Sequence, residues 1–141
     1  MHLDRFLPHP PRKVWRALTE PDLIARWLMP GDFRLEVGHR YTLTSLPRPG
    51  TGFSGTVRAE VLAYEQERML SVRWQDAAPG NSADWTITWT LEPEGRGTRL
   101  FLVHAGFDPD DPLQRRAHGV MGGGWASMVF PGLERVLAEL P

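Results

Sequence analysis

The sequence predicts an α+β fold in which an antiparallel sheet is covered on one face by a long C-terminal helix. Two observations carry this prediction. Between about residues 33 and 107 the chain runs as consecutive alternating segments joined by short turns, the pattern of an antiparallel meander. Beyond Pro112, apolar residues recur at helical spacing almost to the last residue.

Taken in order, residues 2–7 form a short first strand of weak pattern. "HPPRKVWRALTE" follows as a helix, with prolines where a missing N–H does no harm and Val14, Trp15 and Leu18 on one face. "TEPDLIARWL" restarts at once. Thr19 and Asp22 fit a capping-box spacing, and Pro21 sets a bend between two short helices rather than one straight rod. "FRLEVGHRYTLTSL" is expected as a strand kinked at Gly38, and "PRPGTG" as a turn. "FSGTVRAEVLAYE" and "MLSVRW" are strands joined at "QER", and "AAPGNSA" is a longer loop. "DWTITWTLE" alternates cleanly, placing Trp85, Ile87, Trp89 and Leu91 on one face and threonines on the other. After the turn "PEGRGT", the strand "RLFLVHAGF" sets His104 on the face of Leu100 and Leu102, with Phe101 and Val103 outward. The final helix starts with Asp111 as N-cap and Pro112 at the first position. Its apolar stripe is Trp125, Met128, Val129, Leu133, Val136, Leu137 and Leu140. Gly122 to Gly124 and Pro131 predict a weakness or kink within it.

Bulk properties bound the function. The 141 residues suit one domain, 1–141, and a net charge of −1 gives no reason to expect nucleic acid or an anionic membrane as partner. The absence of cysteine excludes disulfides, thiolate nucleophiles and thiolate metal sites. With no signal-like apolar run and no bilayer-length segment, a cytoplasmic protein is expected. The five histidines are scattered without paired metal-ligand spacing. "DPDDP" at Asp108 to Pro112 lacks a calcium-loop register and is better explained by helix capping, so no metal is expected. No nucleophile elbow or phosphate-cradling loop is present, and no catalytic residue or cofactor is assigned.

Several of these segments together carry a resemblance. "VWRALTEPDLIARW" resembles the opening of proteins similar to the activator of heat-shock protein 90 ATPase, within the START-like (SRPBCC) superfamily. The likeness continues through "FSGTVRAEV", "MLSVRW" and "TITWTLEPEGRGTRLFLVHAGF" to Gly124-Trp125 in the last helix. It implies the helix-grip fold: a curved sheet of six to seven antiparallel strands, two short helices after the first strand, and a long C-terminal helix across the sheet. Departures are Gly38-His39 in place of a frequent Gly-Gly, Leu28 in place of a second tryptophan, Pro131 in the helix, and apolar Phe101 and Val103 facing outward. Those two outward residues also leave a homodimer as well as a monomer open.

What the resemblance implies about function is a cavity between sheet and helix. Members use it for lipids, hormones or polyketides, while others regulate chaperones through their surfaces. The chaperone regulators carry a further N-terminal domain for which this chain has no room. The implied pocket comprises Trp74, Trp85, Ile87, Trp89, Leu102, His104, Phe107, Trp125 and Met128, with a hydrophobic small molecule as ligand. Large aromatics with a flexible methionine suit an adaptable apolar site, although the same residues also suit a filled core. His104 is open to three roles: a pocket-facing hydrogen bond, a purely structural one, or the acid/base of a polyketide cyclase- or hydrolase-like enzyme. A chaperone partner is the remaining class.

Overall fold

The computed structural model describes residues 1–46 and 53–141, so the expected turn "PRPGTG" lies outside the described residues. Among these, six strands pair throughout as antiparallel neighbours: β1 (His2–Leu7), β2 (Arg40–Thr44), β3 (Thr56–Glu65), β4 (Met69–Asp76), β5 (Asp84–Glu94) and β6 (Gly97–Ala105). Their order across the sheet is β1-β6-β5-β4-β3-β2. β2 through β6 pair as consecutive neighbours, and β1 closes onto the far edge of β6. Alternation turns one face inward, where Val57, Val72, Trp85, Ile87, Trp89, Leu100 and Leu102 are all buried. Phe101 and Val103 point the other way and are half-buried on the outer face.

Helices α1 (Pro11–Thr19) and α2 (Pro21–Trp27) meet at Glu20, whose extended backbone (φ −93°, ψ 119°) ends one helix and caps the next. Pro21 cannot continue α1, which accounts for the bend. The expected capping box does not form. Thr19 turns its hydroxyl back onto the Trp15 carbonyl at 2.7 Å, and Glu20 occupies the N-cap instead. The expected strand over residues 33–46 is shorter than its pattern. Only Arg40–Thr44 pairs, while Gly38 takes φ +87° in a turn whose N–H bonds the Val61 carbonyl at 2.8 Å. β3 carries its own irregularity, a bulge between Val61 and Ala63 against β4.

The C-terminal helix is continuous in direction but not in type. α3 (Pro112–Gly124) is capped by Asp111, which accepts the Leu113 N–H at 2.9 Å, and α4 (Phe130–Glu139) completes the chain. Between them, Trp125–Val129 is π-helical, with the Phe130 N–H reaching back to the Trp125 carbonyl. Pro131 has no N–H to offer the preceding turn, and the wider turn accommodates that loss. Arg5 on β1 helps secure the segment. Its guanidinium pairs with Glu134 at 2.8 Å, contacts the Ala126 carbonyl at 3.5 Å and lies over the Phe130 ring.

The π turn also corrects the predicted stripe. At the wider turn Phe130, absent from the stripe, is 1% exposed and Met128, within it, is 57% exposed, while Leu133, Val136 and Leu137 are buried as the stripe predicts. α4 packs against α1 and α2 over the core. α3 runs beside the cavity described next and lines it along one side.

Candidate functional site

A cavity of about 260 Å³ lies between α3, the π-helical segment, the inner ends of β4 and β5, and the chain leaving α2. α3 lines it with Leu113, Ala117, Val120, Met121 and Gly124, a one-sided series at helical spacing. Trp125, Met128 and Val129 of the π segment continue this wall. The sheet contributes Trp74 and Trp85, which are directly paired across β4 and β5, and α2 with its exit contributes Trp27, Leu28 and Met29. Phe53, Ala83 and the polar residues Ser45, Asp76, Asn81 and Gln114 complete the lining.

Most of the polar edge is already bonded. The buried Gln114 side chain donates to the Ser82 hydroxyl at 2.7 Å and accepts the Asp108 N–H at 2.8 Å, tying the start of α3 to the loop before β5. Asp76 accepts backbone N–H groups from Ser54 at 2.9 Å and Ala78 at 2.8 Å, and Asn81 accepts the Ala83 N–H at 2.9 Å. Indole N–H groups are similarly withdrawn from the cavity. That of Trp27 donates to the Ala17 carbonyl at 2.8 Å, and that of Trp125 to His104 Nδ1 at 3.0 Å. The Trp85 N–H is enclosed without a partner. These three rings therefore meet the cavity as carbon surface.

Of the residues singled out from the sequence, Trp74, Trp85, Trp125 and Met128 come together on the wall. Ile87, Trp89, Leu102, His104 and Phe107 lie behind it. Trp89 sits at the centre of the aromatic core, edge-on to Trp27, Trp125 and Phe130 with ring centroids 5.6–6.0 Å apart. Ile87 and Leu102 are 1% exposed beneath it. Phe107 packs on Trp85 at 4.7 Å and on His104 at 4.4 Å.

His104 is fully buried among Trp85, Phe107 and Trp125. Because its Nδ1 accepts the Trp125 N–H, the ring is the neutral tautomer with the proton on Nε2, and that N–H is unpartnered. Burial, then the nearby N-terminal ammonium and His118, pushes its pKa down to about 3. Its position in the strand is fixed at both ends of the peptide. The Met1 ammonium donates to its carbonyl at 3.0 Å, and its own N–H donates to the Met1 carbonyl at 2.9 Å. Such a group anchors Trp125 from behind rather than presenting a base to the cavity.

Sequence reasoning missed the α3 wall because Gln114, Ala117 and Gly124 do not read as an apolar face. The helical spacing of Leu113, Ala117, Val120 and Met121 was the available signal. Leu28 reads from the sequence as part of the apolar face of the second helix, with Leu23, Ile24 and Trp27, and Met29 gave no sign, since their place on the wall depends on where α2 ends.

An antiparallel sheet, two short helices at one end and an interrupted C-terminal helix standing over a cavity define a helix-grip domain of START-like type. Residues 8–138 match the family model for activator of Hsp90 ATPase homolog 1-like protein, and the chain belongs to that family. No curated protein matches the sequence. Among solved structures, protein MLL2253 from Mesorhizobium loti is 38% identical with a TM-score of 0.85, over 100% of this chain and 98% of that one. CalU16 from Micromonospora echinospora is 25% identical with a TM-score of 0.72, over 98% of this chain and 75% of that one. PFC0360w, an HSP90 activator from Plasmodium falciparum, is 17% identical with a TM-score of 0.73, over 98% and 95% of the two chains, a likeness of fold. No helix among the described residues is long and apolar enough to cross a membrane.

Proposed function

We propose that this protein binds a hydrophobic or aromatic small molecule in the cavity under α3, acting in the cytoplasm as a monomer or homodimer. The observation that carries this reading is the apolar cavity beside α3. Leu113 and Val120 on its cavity side remain 39% and 38% exposed, so the helix stops short of burying its own apolar surface. An apolar ligand would complete that burial, worth roughly 25 cal/mol for each Å² removed from water. An apolar cavity of about 150 Å³ accommodates benzene. One of about 260 Å³ suits a body of one or two rings.

Titration with a panel of one- and two-ring compounds, followed by tryptophan fluorescence, tests the proposal directly because Trp74, Trp85 and Trp125 line the cavity. A saturable change with at least one compound is expected. A flat response across the panel, with no shift in melting temperature, would sink it. Family membership favours a second reading, in which a chaperone of the heat-shock protein 90 class is the partner and the cavity is incidental. Measured binding to such a chaperone that survives filling of the cavity would support that reading over the first.

A further inference from the structure

The charge and surface chemistry of the cavity point to one ligand class. Among the described residues, Asp76 is the sole charged side chain on the wall, with no lysine, arginine or histidine beside it. Its carboxylate receives two backbone N–H groups and is in no ion pair among the described residues. Asp76 lies two positions beyond Trp74 on β4, hence on the same sheet face, and Trp74 is paired with Trp85. Carboxylate and paired indoles thus share one end of the cavity. The ring N–H groups of Trp27 and Trp125 are committed elsewhere and that of Trp85 is enclosed, so three potential donors to an anion are withdrawn.

A site of aromatic carbon surface with one carboxylate, and no opposing cation among the described residues, attracts positive charge and repels negative charge. We propose that the cavity selects hydrophobic organic cations, a protonated or quaternary amine on a one- or two-ring body, with Asp76 as counter-ion and the Trp74–Trp85 pair as aromatic wall. This rests on the cavity being a ligand site, and it adds the sign of the ligand's charge.

The test compares trimethylphenylammonium with tert-butylbenzene, its neutral isostere, and with benzoate, using ligand-observed NMR and calorimetry on the full chain. The cation is expected to bind about tenfold more tightly than the neutral compound, and benzoate more weakly than either. Asp76→Asn, which removes the charge and keeps one of the two oxygens that accept the Ser54 and Ala78 N–H groups, should remove most of that preference and leave tert-butylbenzene unchanged once its melting temperature shows that it folds. Asp76→Glu should retain it. If tert-butylbenzene binds as tightly as the cation, or Asp76→Asn weakens both equally, the charge selectivity is overturned while the cavity reading stands. If none of the three binds, both fall together.

Discussion

His104 shows how one buried polar side chain can be fully specified by its neighbours. Its Nδ1 must stay unprotonated to accept the Trp125 N–H, so protonation would oppose two N–H groups across a 3.0 Å contact. The folded state therefore resists charging this ring, in line with a pKa of about 3, whereas the unfolded chain takes up the proton near its ordinary value of 6.5. The sign follows from linkage: between these values the unfolded state holds more protons, so stability is complete above about pH 6.5 and declines as pH falls toward 3. Burial also lowers the His9 pKa and adds a contribution of the same sign. Urea unfolding at pH 7 and pH 5 should therefore show a loss on the order of 1 kcal/mol or more. His104→Gln, which can still accept from Trp125, should show a smaller pH dependence; an unchanged slope would refute the assignment. Two residues on, Gly106 has φ +100°, and a Cβ there would lie 2.7 Å from the Asp84 carbonyl oxygen. Gly106→Ala should cost roughly 2 kcal/mol or more by the same assay, because strain and a backbone clash coincide.

Among the elements, the C-terminal helix divides its labour at the π turn. α4 supplies core through Phe130, Leu133, Val136 and Leu137, whereas α3 supplies wall and leaves apolar side chains uncovered. The glycines within α3 weaken it as a helix without being required by packing. At Gly119 and Gly123 an added Cβ would meet nothing within 4 Å. Gly119→Ala and Gly123→Ala should each stabilise the protein by about 0.5–1 kcal/mol, read as a shift in denaturation midpoint. A loss of stability in both would show that these positions are packed after all. Much of this element was legible beforehand. The Asp111-Pro112 start and an interruption near Pro131 could be read because each depends on local chemistry. The exchange of Phe130 for Met128 on the buried face could not, because the place where the helix widens into a π turn depends on hydrogen bonding that leaves no compositional mark. The sheet was legible for the same reason as the helix start: strict alternation in "DWTITWTLE" and "RLFLVHAGF" names its own inward face. The strand read across residues 33–39 failed because the chain turns at Gly38 (φ +87°), so that only the residues beyond it follow β3.

For the whole molecule, the question is whether the cavity is a site or a packing defect. Both alternatives use the same aromatic residues, which is why composition and periodicity could not separate them. Gly124 offers a decisive substitution. It lines the cavity, takes ordinary right-handed helical angles (φ −63°, ψ −46°), and a Cβ added there has open space around it. Gly124→Leu should therefore place apolar volume in the cavity while also improving helix propensity, and the two effects together should stabilise the fold by about 1–2 kcal/mol. If the cavity is the ligand site, the same change should lower affinity for any ring compound found by fluorescence titration by about tenfold or more, since overpacking removes the space the ligand needs. Stability and binding would then move in opposite directions, as expected when a protein forgoes core packing to keep a site open. Stabilisation with ligand affinity unchanged would place binding elsewhere on the molecule. Destabilisation would show that the space beside Gly124 closes in solution.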